Sequence, residues 1–155
     1  KEMLESRVQI AVDYFAKKGY NCSQAVAVTY ADLLGLDPVT CFKGMEAFGG
    51  GMGARLGTCG AISGAIYLAG FVTSTGNMDD DKTNKSKKVS YELAGKITKE
   101  FYEMNGTVTC ADLKDAKGEY FHSCLDCVAD AAKLVEKYIF PGQFEETDGL
   151  EENVL

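Results

Sequence analysis

The sequence predicts an all-α protein, a compact multi-helix single domain with a glycine-rich loop and cysteines at helix N-termini. Apolar residues recur at three- and four-residue intervals through most of the chain, capping residues precede those runs, and no alternating strand pattern competes. A length of 155 residues with 46% hydrophobic composition suffices for one core closed without disulfides.

In chain order, Val8, Ala11, Val12 and Phe15 mark a first helix that Lys17, Lys18 and Gly19 close. A second begins at Asn21, whose side chain can accept from an orphan amide while Gln24 reaches back, and runs to Gly35. Asp37 and Pro38 start a third, with Val39, Phe42, Met45 and Phe48 as its apolar face. The glycines of GGGMG then break the helix into a tight, irregular loop. From Cys59 the chain turns helical again, and Gly60 and Gly64 keep bulk off one face so that another helix or a bound group can approach. Residues 73–88 are polar and charged, which reads as a surface loop. Val89, Leu93, Ile97 and Phe101 define a long helix ending near Asn105 and Gly106, and Val128, Ala131, Val135 and Tyr138 define a last one before Pro141. Residues 1–140 are thus expected to form one helical domain. Residues 141–155, with Glu145, Glu146, Asp148, Glu151 and Glu152, read as an acidic tail without assigned structure.

The net charge of -7 argues against a nucleic-acid partner. The longest apolar candidate for a membrane span, Ala61 to Val72, is short and interrupted by Ser63, Gly64 and Gly70, so no membrane is expected. The same segment reads as a close-packing helix, either within one subunit or across a homodimer. Gly49, Gly51 and Ala54 imitate a dinucleotide fingerprint, but no strand precedes them and nucleotide binding is not expected. No charged-then-apolar leader opens the sequence, and six cysteines in such a chain point to reduced thiols in a cytoplasm, bound to metal or used in redox work.

The informative regularity is what precedes the thiols. Asn21-Cys22, Thr58-Cys59, Thr109-Cys110 and Ser123-Cys124 each put a capping residue before a cysteine, which places the thiol in a first helical turn. Free amides and the positive end of the helix dipole favour a thiolate there. Thiolate is the form that ligates metal and attacks disulfides, and helix starts offer amide donors to sulfur. Cys41, in the body of the third helix, reads as a structural core thiol. Cys127 forms the only C-x-x-C, with Cys124. His122 is either a ligand or proton donor near that motif or a hydrogen-bonded surface residue, and Arg55 either balances negative sulfur or is a solvated loop charge.

The stretches NCSQAV, FGGGMGARLGTCGAISGA and CLDCVADAAKL, together with Cys110, resemble the redox-active family named for its C-GCAxxG-C-C pattern. The likeness covers nearly the whole body. It extends to the non-haem portion of split-Soret cytochromes, where an iron–sulfur centre is implied. Here the block reads Thr58-Cys59-Gly60-Ala61, a variant of the name-giving motif that leaves Cys59 as the matching thiol. The resemblance carries over onto Cys22, Cys59, Cys110 and Cys124, whereas Cys127 departs from it.

Three readings of function stand at this point. In the first, an iron–sulfur electron carrier or redox sensor, metal is held by Cys22, Cys59, Cys110 and either Cys124 or Cys127. Gly57, Gly60 and Gly64 are then the cofactor-binding positions where backbone approaches the centre. The second is thiol–disulfide exchange, for which Cys124 and Cys127 are the best-placed pair. The third is a structural zinc site, since four sulfurs suit tetrahedral zinc. The redox partner protein is not readable from the sequence.

Overall fold

Asn21 caps the helix on which the rest of the structure is assembled. Its side chain accepts from the Gln24 amide at 2.9 Å while Gln24 Oε1 accepts from the Asn21 amide at 3.0 Å, the reciprocal box expected from the sequence. The helix it starts, α2 (Cys22–Tyr30), is buried at every residue but Val28, as befits an element surrounded on all sides. The computed structural model describes residues 2–79, 85–114 and 123–146, which form seven α-helices with no strand among the described residues. Around α2 pack α1 (Val8–Lys18), α3 (Pro38–Met45), α4 (Gly60–Thr73) and α7 (Cys124–Leu134). The long α5 (Lys85–Asn105) covers the far side of α4, and a short α6 (Cys110–Lys114) follows it.

The close approach read from Gly60 and Gly64 is used within the chain. A Cβ on Gly64 would lie 2.7 Å from the Ser23 carbonyl oxygen and 3.2 Å from Val26 Cβ, so α2 and α4 cross backbone to backbone. Tyr30, Ile62, Leu68, Ile97, Phe101, Leu113, Leu134 and Val135 form the centre of the core. Tyr30 donates to the buried Glu136 carboxylate at 2.6 Å, and the Arg7 amide donates to the same oxygen at 2.7 Å. No helix among the described residues is long and apolar enough to cross a membrane.

Two helices differ in detail from the sequence reading. On α3 the buried residues are Cys41 and Met45, while Val39 and Phe48 are exposed. The α-helix ends at Met45 and a tighter turn, Glu46–Phe48, carries Phe48 out of register. Helix α5 starts at Lys85, inside the expected loop, and its Val89 is exposed whereas Ile97 and Phe101 are buried. After α7 a wider turn, Val135–Ile139, leads to residues that return to the N-terminus. The Leu4 amide donates to the Gln143 carbonyl and the Glu145 amide to the Leu4 carbonyl, both at 2.8 Å, with Phe144 in the core. Within residues 141–146, assigned by sequence to the acidic tail, Phe144 is buried and its neighbours are exposed, and the remainder of that tail, like His122, lies outside the described residues.

Candidate redox centre

The glycine loop sets the site. Gly50, Gly51, Met52 and Gly53 all have positive φ, a left-handed turn that a run of L side chains would resist. Beyond the turn the loop is strapped to the segment before α6. The Gly57 amide donates to the Gly51 carbonyl at 3.1 Å, the Cys59 amide to the Val108 carbonyl at 2.7 Å, and the Cys110 amide to the Gly57 carbonyl at 2.9 Å. Thr58 and Thr109 pair in an isolated antiparallel bridge. These bonds hold Cys59 and Cys110 side by side although they are far apart in sequence.

The absent Cβ atoms show how closely sulfur fits this backbone. A Cβ on Gly60 would stand 2.5 Å from Cys22 Sγ, and one on Gly51 would stand 2.4 Å from Cys110 Cβ and 3.3 Å from its Sγ. Gly60 thus makes room for a thiol. Gly64 instead meets α2, and a Cβ on Gly57 would strike Met52.

Cys22 and Cys124 occupy the first turns of α2 and α7, behind Asn21 and Ser123. Ser123 accepts from the Asp126 amide at 3.1 Å and completes a second reciprocal box. Cys110 opens α6, whereas Cys59 is itself the residue that caps α4. Cys22, Cys59, Cys110 and Cys127 are buried and Cys124 is partly exposed. Cys22 and Cys110 each feel the charges of Cys59 and Cys124, and Cys127 feels the charge of Cys59. These interactions place the five cysteines in one neighbourhood. Cys41 lies elsewhere, buried beneath the Tyr67 hydroxyl at 3.8 Å.

Burial divides these thiols in a way the helix starts did not indicate. The Cys59 thiol is lowered to about 6, first by the hydrogen bond from Cys127, then, against burial, by the amides of Ala61 and Ile62 and by the Lys114 charge. Cys22 and Cys110 are raised, contrary to the sequence expectation, because loss of hydration outweighs the Gly50 amide at Cys22 and the Lys114 and Arg55 charges at Cys110. Cys127, donor to Cys59 and buried beside its charge, is raised strongly.

Sequence reasoning missed Lys114. Its ammonium donates to Cys127 Sγ at 3.9 Å and feels the charges of Cys127, Cys124, Cys59 and Cys110. Its signal was available, since Lys114 stands four residues after Cys110 and therefore shares its helical face. Arg55 is exposed, yet its charge reaches Cys110.

Among the described residues, no three His, Cys, Asp or Glu side chains stand at metal-holding spacing. The donor chemistry nevertheless suits a thiophilic centre, with sulfurs on separate elements, amides aimed at two of them and a cation beside them. Residues 20–138 match the family model described as "Putative redox-active protein (C_GCAxxG_C_C)". The chain belongs to this family. Comparison with curated proteins and with solved structures gives no match. The C_GCAxxG_C_C match spans every cysteine of the site, from Cys22 to Cys127.

Proposed function

We propose that this C_GCAxxG_C_C protein is an electron carrier or redox sensor whose converging cysteines hold an iron–sulfur cluster. What supports the reading is that Cys22, Cys59, Cys110 and Cys124, from four separate helix starts, are linked by electrostatic interactions with one another and with Lys114. When bound, such a cluster supplies one-electron chemistry at a potential tuned by charge, amide donors and solvent access. The chain's own groups serve those ends: the Gly50, Ala61 and Ile62 amides face Cys22 and Cys59, Lys114 offsets negative charge, and burial limits water.

The test is anaerobic reconstitution with iron and sulfide, followed by visible absorption and elemental analysis. Iron and sulfide bound in wild type and lost in Cys59→Ser are expected. A colourless product after competent reconstitution overturns the reading. Zinc alone, with unfolding that shifts on chelation, would replace it with the structural zinc site.

A further inference from the structure

Beside the glycine loop lies a cavity of about 420 Å³ that the cysteine site does not use. Phe48, Met52 and Ile62 give it apolar walls, and no charged residue among those described lines it. We propose that this cavity binds an uncharged aromatic ring carrying two acceptor oxygens, a small quinone, next to Cys59. The proposal deepens the iron–sulfur reading by naming a class of small molecule held beside that centre, and it rests on that reading only for the choice of a redox-capable ring.

The chain places its apolar groups here by local means. Met52 has a φ of 64°, in the left-handed region that few residues with a side chain adopt, and a Cβ on Gly57 would strike its Cγ. Gly57 thus makes room for the thioether, which is 51% exposed at the cavity wall instead of packed in the core. Phe48, carried out of the α3 register by the turn at Glu46–Phe48, adds an aromatic ring. A space of this size with phenyl, thioether and branched aliphatic walls suits a flat apolar ligand.

Polarity selects the ligand. The polar lining consists of the hydroxyls of Thr58, Ser63, Tyr67 and Thr98. Ser63 donates to the Cys59 carbonyl at 3.2 Å and Tyr67 donates to Cys41 Sγ at 3.8 Å, so both of those protons are already committed. The Thr58 and Thr98 hydroxyls make no hydrogen bond among the described residues. They stand on different elements, the strapped loop before α4 and helix α5, and leave two donors for a ligand. Two free donors without a nearby cation call for a neutral molecule with two acceptor oxygens, because a carboxylate or phosphate would lose its hydration and find no countercharge. Thr58 precedes Cys59 in the chain and Ser63 is bonded to its carbonyl, so the ring would lie against the backbone of a proposed cluster ligand.

The probe is duroquinone, whose fully methylated ring leaves no open position for thiol addition. It is titrated into the reduced, metal-free full-length chain with isotope-labelled methionine methyl groups, followed by nuclear magnetic resonance. The methionines divide into a signal and its control, since Met45 and Met52 line the cavity and Met3, Met78 and Met104 do not. Saturable shifts confined to Met45 and Met52, reversed by dialysis, are expected. Thr98→Val keeps the shape and removes one donor, and should weaken binding by roughly two- to tenfold, the worth of one hydrogen bond. Tetramethylbenzene, the same frame without oxygens, should also bind more weakly than duroquinone. No shift, equal shifts at the control methionines, shifts that persist until dithiothreitol is added, or equal affinity for the hydrocarbon overturns the proposal. The wild-type titrations decide this even if the variant does not fold. Because no metal is present, failure here leaves the iron–sulfur reading standing, and failure of reconstitution leaves the binding site standing.

Discussion

Two glycines of α4 provide a perturbation with its own control. Replacing either with alanine gives the helix about 1 kcal/mol of intrinsic propensity, so the difference between the variants reports only what the new methyl group meets. At Gly64 it would lie 2.7 Å from the Ser23 carbonyl oxygen, 3.2 Å from Val26 Cβ and 3.3 Å from Ser23 Cα. At Gly70 nothing lies within 4 Å. The obstructing atoms at Gly64 belong mainly to the α2 backbone and cannot rotate away, so the two central helices must separate. Overpacking of this kind costs about 1–3 kcal/mol. Gly70→Ala is therefore expected to match or exceed wild type, and Gly64→Ala to fall below Gly70→Ala by about 1–3 kcal/mol. Urea unfolding of the metal-free, reduced chain measures both, with the slope m checked for constancy. Equal midpoints for the two variants would mean that α2 and α4 do not cross at Gly64, and the reasoning would fail.

Tyr30→Phe removes the 2.6 Å donor to the buried Glu136 carboxylate, whose other oxygen has no partner among the described residues, and is expected to cost about 1–3 kcal/mol in the same urea assay. The metal-free chain should gain stability as pH rises from about 6 toward the ordinary thiol range, because over that window unfolded Cys59 still holds a proton that folded Cys59 has lost. Above that range the sign reverses, since the raised Cys22, Cys110 and Cys127 keep protons in the fold that the unfolded chain releases, and a urea midpoint that is flat with pH would refute both signs. Lys114→Met should move the Cys59 titration upward from about 6, read as ultraviolet thiolate absorbance of the metal-free chain, and an unmoved titration would remove Lys114 from the site.

What could be read in the sequence was the local chemistry. The Asn21–Gln24 and Ser123–Asp126 boxes form because each uses atoms within three residues, and the helices they start place Cys22 and Cys124 as expected for capped thiols. The glycine positions could be read as places of close approach, but not what approached: sulfur at Gly60, backbone at Gly64, a methionine at Gly57. Thiol ionisation depended on burial, a tertiary quantity. Cys22 and Cys110 share a helix-start position yet shift upward, because desolvation there exceeds what a few amides and a lysine return. The interaction of Cys127 with the charge of Cys59 was likewise beyond any spacing rule, since it depends on α4 packing against α7. On α3, periodicity failed at Phe48 because the helix tightens after Met45, and a tighter turn no longer keeps the 3.6-residue register.

The glycine-rich loop then has a physical explanation that leads to a last prediction. The glycines nearest Cys59 do not serve Cys59; they clear space for the other thiols. Gly60 leaves room for Cys22 Sγ at 2.5 Å from where its Cβ would be, and Gly51 leaves room for Cys110, whose Cβ would be only 2.4 Å away. An alanine at either position removes no sulfur, yet must displace one. Gly53 provides the comparison, because its φ of +75° carries the same backbone strain as Gly51 while the nearest obstruction, the Ala47 carbonyl oxygen, is 3.8 Å away. That strain costs roughly 1–2 kcal/mol in either variant. If the cysteines hold a metal centre, Gly51→Ala and Gly60→Ala should load much less iron on reconstitution than Gly53→Ala, with every thiol still present by titration of the unfolded chain. Folding is checked by circular dichroism before loading, so that a global loss of structure is not mistaken for a displaced ligand. Iron loading in Gly51→Ala and Gly60→Ala equal to that of Gly53→Ala would show that the sulfurs tolerate displacement and that the loop's glycines serve the turn alone.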